Sequence, residues 1–254
     1  MIDSHCHIDY IENPEAAIEE SKKKGVEAIV TSALNVQEAE KVLALKKKFS
    51  DTLYICLGVH PMEIQVYNDA YADFIKANKE NIVAVGEIGL DGMKATHNYE
   101  ETKEIFSEML TLAEELNLPV VVHSRNGEIK AINDTIKILS ESNAKRVMMH
   151  CFSGNENNLK EALELGYYIS YATNICWTKK HPQLAKATPL ERMLLETDAP
   201  WLDPDSSIEN IQLNNRPWKI MKSAEVIAKV KEIDKEEVLE ATANNARKFF
   251  NLPK

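Results

Sequence analysis

The sequence predicts a (β/α)8 barrel, a TIM barrel, built as a single domain over residues 1–254. Short β-branched runs alternate with longer amphipathic stretches from end to end, eight runs in all, and seven of them lead directly into a helical pattern. A length of 254 residues is typical of such a barrel. No run is followed by a glycine-rich phosphate loop, and the chain has only eight glycines. This disfavours the nearest rival, an open doubly wound sheet.

The first strand is IDSHCHI (2–8). A strand places alternate side chains on one face, so Asp3, His5 and His7 point one way and Ser4, Cys6 and Ile8 the other. Two imidazoles side by side make a poor core and half of a metal site; the rival is a pair of partly solvated histidines near a terminus. The next strands are VEAIVTSA (26–33) and LYICLGVH (53–60), which ends on His60. IVAVGEIGL (82–90) carries Glu87 near its end. The clearest helix follows, NYEETKEIFSEMLTLAEELN (98–117), with Ile105, Met109, Leu112 and Leu116 on one stripe. PVVVHS (119–124) carries His123, and RVMMHCF (146–152) carries His150 in its last part. YYISYAT (167–173) is the seventh strand. RMLLETD (192–198) is the eighth; it ends on Asp198, with Glu196 two residues earlier on the same face. The irregular segment DPDSSIENIQLNNRP (203–217) belongs at the active face. Two helices close the chain, over 217–231 and 234–250, the first opening on Pro217.

Composition bounds the function. Apolar residues make up 44% and charged residues 28%, an ordinary globular balance. No apolar run is long enough to span a bilayer, and no basic-then-apolar leader precedes Asp3. Four cysteines are too few for a disulfide scaffold and lack zinc-ribbon spacing, so they read as reduced thiols of a cytoplasmic protein. A net charge of −10 excludes a protein that coats duplex DNA. It leaves open a substrate such as a nucleic acid end or a short single strand, met by a metal and a few local cations. The basic runs SKKKG and LKKKF sit beside acidic stretches and read as solvated helix faces.

The C-terminal strand ends of a barrel converge at one mouth. Five strand-borne histidines and two carboxylates would therefore meet there. A lone histidine in a β-run is an ordinary core residue, but an unpaired buried carboxylate is costly, and a cation is the simplest compensation. Six candidate ligands exceed one tetrahedral site; two divalent ions with one bridging carboxylate use them better. Among Zn, Mn, Mg, Co and Fe, imidazole favours the transition metals over a dedicated Mg or Ca cage. Alternation turns Cys6 and Cys151 away from the centre, as small apolar residues behind it. His97 and His181 lie in loop or helix-start contexts and receive no role.

The phrases DSHCHID, LGVHP, VGEIGLD, LPVVVHSR, HCFSG, ETDAPWL and NARKFF resemble, in order and over nearly the whole chain, the TatD family of metal-dependent deoxyribonucleases, amidohydrolase-like barrels. The resemblance implies metal ligands at His5, His7, Glu87, His123, His150 and Asp198, with Glu87 bridging and Asp198 also handling protons of the attacking water. It implies substrate-phosphate contacts at His60 and Arg125, although Arg125 also reads as a rim salt bridge. The implied activity is metal-assisted hydrolysis of DNA phosphodiesters, exonuclease-like from the 3′ end. The same centre suits an amide, lactone or aminoacyl ester; a non-catalytic binding protein fits poorly with a complete ligand set. Gly92, Met93, Met109 and Asn126 depart from the family's usual residues, and all lie outside the ligand set.

Overall fold

The computed structural model describes residues 1–93, 98–207 and 209–253; His97, to which the sequence assigns no role, lies outside them. Eight strands run β1 Ile2–Cys6, β2 Ala28–Ala33, β3 Leu53–Leu57, β4 Ala84–Asp91, β5 Val120–Arg125, β6 Val147–Met149, β7 Tyr168–Tyr171 and β8 Met193–Leu195. They form one sheet in sequence order, each parallel to the next. Helices α1 Pro14–Lys23, α2 Val36–Lys48, α3 Asp69–Ala77, α4 Tyr99–Leu116, α5 Ala131–Glu141, α6 Glu156–Glu164, α7 His181–Ala187, α8 Ile220–Lys231 and α9 Lys235–Phe250 surround it. The TIM barrel predicted from the sequence is the fold observed.

The strands are buried on both faces, which is why they read as near-continuous apolar runs. Asparagine supplies the helix starts: Asn13, Asn35, Asn68, Asn98 and Asn155 each accept a backbone N–H of the first turn. It also ends α4 and α9, at Asn117 and Asn251 in the left-handed region. The two lysine runs fall on the last turns of α1 and α2, where positive charge meets the negative end of the helix dipole. Lys22 pairs with Asp51 at 3.0 Å, and Lys48 contacts Glu15.

Two apolar layers result. One lies between strands and helices. The other fills the barrel from inside, with Ile2, Val30, Tyr54, Val121, Met148 and Leu194 among its members, and α9 adds Phe249 and Phe250. Arg146, just before β6, donates to the Phe249 carbonyl at 3.3 Å. The end of α9 therefore stoppers the N-terminal end of the barrel, leaving the opposite end for a site.

The β8–β1 seam is sewn largely by side chains. Asp198 N donates to His5 O at 3.0 Å and His7 N to Ala199 O at 2.8 Å. Below them the Asp3 carboxylate accepts from Thr197 N at 2.8 Å and Thr197 Oγ1 at 2.6 Å, and Ser4 Oγ donates to Leu195 O at 2.6 Å. Asp3 therefore belongs to barrel closure and does not share the face of His5 and His7. The register slips between Asp3 and Cys6, and this bulge breaks the alternation expected for the stretch.

Candidate metal centre

Five strands, β1, β3, β6, β7 and β8, end earlier than the sequence suggests. His7, His60, His150 and Asp198 lie just past β1, β3, β6 and β8, not within them. At the mouth the chain leaves the ladder so that side chains can turn inward. Asp198 has a φ of 58° and Cys151 a φ of 41°; aspartate tolerates this left-handed backbone better than most residues. The turn at Cys151 also corrects its expected place: it lines the mouth cavity, while Cys6 is fully buried in the core.

Glu87 reaches the centre by a second bulge, with Gly86 opposite Val121 and Ile88 opposite Val122. On the adjacent strand β5, His123 approaches it closely because Gly89 has no side chain. A Cβ on Gly89, whose φ is +140°, would stand 2.0 Å from the His123 carbonyl oxygen.

The predicted residues converge, and Glu87 divides them. Its Oε2 faces His5 Nε2 at 3.4 Å and His7 Nε2 at 3.5 Å. The same two nitrogens lie 3.2 Å from each other and 3.6 and 3.7 Å from Asp198 Oδ1. Glu87 Oε1 faces His123 Nδ1 at 2.9 Å, His150 Nε2 at 3.4 Å and His60 Nε2 at 3.6 Å. Four tetrahedral ligands at ~2.0–2.1 Å from a cation stand roughly 3.3–3.4 Å apart. The spacing around Oε2 fits that requirement, and a second set gathers at Oε1. The donors are nitrogen-rich, as transition metals prefer.

Charge supports the same fit. Glu87, Asp91 and Glu196 are all buried. Against burial, which would lower it, Glu196 and Glu87 push the His150 imidazole up to about 10. His7 and His123 are likewise raised despite burial, mainly by hydrogen bonds to Glu87 and Asp91 respectively. Burial raises the Asp198 carboxyl to about 6, with Glu87 and Glu196 adding to it against His150 and His7. The carboxylates thus draw protons onto His7, His123 and His150, where cations could stand.

Two residues behind the centre carry weight that the sequence did not assign. Glu196 is fully buried; its Oε1 accepts from Cys151 N at 2.7 Å and lies 3.0 Å from His150 Nδ1, off the axis of a well-aligned hydrogen bond. Asp91 Oδ2 lies 2.8 Å from His123 Nε2, accepts from Arg125 Nε at 2.8 Å, and stands 2.8 Å from Arg125 Nη2 in the same ion pair. Carboxylates behind histidines fix ring orientation in metal sites. Burial opposes ionisation of Asp91, yet His123, the Met93 N–H and Arg125 hold it down to about 2. The signals were present in the sequence: Glu196 stands two residues before Asp198, and Asp91 closes GEIGLD.

His60 differs from the other histidines. Met62 N–H donates to its Nδ1 at 3.1 Å, so the neutral ring carries its proton on Nε2, the atom that faces the centre. Burial holds it down to about 3 and keeps it neutral. Arg125 is half exposed, and with Lys180 it gives the 640 Å³ mouth cavity a cationic lining. His181 is buried elsewhere, with Nδ1 2.7 Å from Thr178 Oγ1.

A parallel eight-stranded barrel with a histidine–carboxylate cluster at its C-terminal mouth defines a metal-dependent hydrolase of the amidohydrolase-like class. The chain belongs to the TatD family: the model described as TatD related DNase matches residues 2–251. It is 34% identical over 267 residues to human deoxyribonuclease TATDN3, covering 98% of this chain and 94% of that protein. It is 37% identical to an uncharacterized metal-dependent hydrolase of Methanocaldococcus jannaschii, covering 98% and 96%. The crystal structure of YJJV, a TatD homolog from Escherichia coli, matches with a TM-score of 0.89 at 29% identity, over 100% and 98% of the two chains.

Proposed function

We propose that this chain is a deoxyribonuclease that cleaves phosphodiester bonds at DNA ends or in short single strands, removing nucleotides from the 3′ end. The observation that carries the reading is the division of Glu87, one oxygen to each ligand set. His5, His7, Glu87, His123, His150 and Asp198 would hold two divalent cations. When bound, such a pair activates water and stabilises both the attacking and leaving oxygens of a phosphodiester.

The remaining chemistry belongs to the chain. Asp198 borders the cavity, so it can take a proton from the attacking water and pass it to solvent. His60 can donate its Nε2 hydrogen to a phosphate oxygen. Asp91 holds one edge of the Arg125 guanidinium and steadies the fork against a second oxygen. Arg125 makes the rim salt bridge that the sequence offered as one reading, and in this proposal its remaining donors also serve as the substrate contact. Arg125 and Lys180, together with bound divalent ions, would make the mouth locally cationic in a chain whose net charge is −10. The named deoxyribonuclease relative supports DNA as the substrate.

The test is a screen of metal-stripped and Mn-, Mg- and Zn-loaded protein on end-labelled single strands, duplexes and RNA, with lactone and amide substrates alongside. Metal-dependent shortening of single-stranded DNA from the 3′ end is expected. Turnover of a lactone or amide with no phosphodiester cleavage would replace this reading with that of a small-molecule hydrolase.

A further inference from the structure

The side of the mouth nearest His7 carries an aromatic pair that the catalytic roles leave unused. Trp201 lines the cavity, with its ring centroid 4.9 Å from that of His7. Tyr10 lies 5.2 Å from Trp201 at an interplanar angle of 51°, and it is 49% exposed. An exposed tyrosine ring is usually free to turn; this one is held. Its hydroxyl donates to Glu38 Oε1 at 2.8 Å. Glu38 is itself fixed by the Leu34 N–H at 2.9 Å and by Asn35 Nδ2 at 2.7 Å. A network thus keeps apolar ring surface in water beside a hydrolytic centre, and burial of that surface in the fold does not account for it. Leu34 and Leu202 continue the apolar lining, whereas Arg125 and Lys180 supply its cations.

We infer that Tyr10 and Trp201 form a stacking platform for one unpaired nucleobase of the substrate strand. The inference rests on the nuclease reading above and narrows it to strands whose terminal base is free. Every base has a π-face, so such a platform binds without regard to sequence. A base paired within a duplex has no free face to offer, and the platform therefore selects single strands and frayed ends.

The experiment is calorimetric titration of the metal-loaded protein with a phosphorothioate-linked trithymidylate and with the same trimer lacking its bases. Each variant's bound metal is measured in parallel. Wild-type protein should bind the base-bearing trimer about fivefold to a hundredfold more tightly, the range set by stacking of one base on an aromatic ring. Tyr10→Leu should lose most of that margin with metal content unchanged. Tyr10→Phe keeps the ring and should keep the margin. Equal wild-type affinity for the two trimers overturns the platform while leaving the nuclease reading intact, as does a full margin in Tyr10→Leu. Loss of the margin together with bound metal would place the effect on His7 and also overturn it. Binding of neither trimer removes the nuclease reading and the platform with it.

Discussion

At the scale of single residues, tautomer and charge separate groups that look alike. His60 and His123 both face Glu87 Oε1, at 3.6 and 2.9 Å. Only His60 has its far nitrogen accepting a backbone N–H, which leaves a hydrogen rather than a lone pair pointing inward. His60→Ala should therefore keep its metal and lose turnover by roughly 10²–10³, the scale of one preorganised donor. Metal loss equal to that of His123→Ala would make His60 a ligand instead. Asp198→Asn should retain at least one metal ion, because the amide oxygen can still coordinate, but it cannot accept a proton near neutral pH. Its turnover should fall by roughly 10²–10⁴. Glu87→Gln should instead change metal stoichiometry, since one charge would serve both ligand sets. Paired metal analysis and kinetics distinguish the two variants, and near-normal turnover in metal-bound Asp198→Asn would remove its proton-transfer role.

At the scale of strands and turns, the site depends on departures from regularity. Bulges next to His5 and at Glu87 and left-handed turns at Cys151 and Asp198 aim the side chains. Close approach at Gly89 brings β5 against β4. Gly89→Ala should cost roughly 2–6 kcal/mol from backbone conformation and overpacking combined. It should also lower metal content by displacing His123. Urea unfolding with metal analysis checks both, and a variant with wild-type stability and metal would show that β4 and β5 can part freely. These irregularities also mark what the sequence could not convey. Apolar period made all eight strands and the stripe of α4 legible, and strand order brought the distant histidines to one mouth. Alternation alone misplaced Asp3, which closes the β8–β1 seam, and Cys151, which lines the cavity. A bulge or a left-handed residue has no periodic signature, so strand ends at His7, His60, His150 and Asp198 were read too long. The supports Asp91 and Glu196 were visible as residues, but their partners are set by three-dimensional packing.

Across the whole molecule the two ends of the barrel divide stability from chemistry. The N-terminal end is apolar and plugged by Phe249 and Phe250. Phe249→Ala should cost about 3–5 kcal/mol, as for other buried aromatics, at every pH and with or without metal. At the C-terminal end, burial makes the Asp198 carboxylate costly to ionise when no cation faces it. Asp198 shows the sign. Its carboxyl rises from the ordinary 3.8 to about 6 on folding, so the folded state holds its proton where the unfolded chain has released it. Its contribution is most favourable below pH 4 and is lost as pH rises through 6. The full difference is about 3 kcal/mol. In chelator, Asp198→Asn should therefore be more stable than wild type at pH 7.5 by up to that amount, and the advantage should vanish by pH 4. Asparagine also accepts the left-handed backbone at this position, but that gain is independent of pH and cancels when the two pH values are compared. Adding metal should reverse the order at pH 7.5, because the carboxylate then meets a cation and binding stabilises the folded state. Denaturant unfolding of wild type, Asp198→Asn and Phe249→Ala, at both pH values and with and without metal, tests the division. A metal-free Asp198→Asn no more stable at pH 7.5 than at pH 4, relative to wild type, would mean that the mouth carries no stored charge for a metal to relieve.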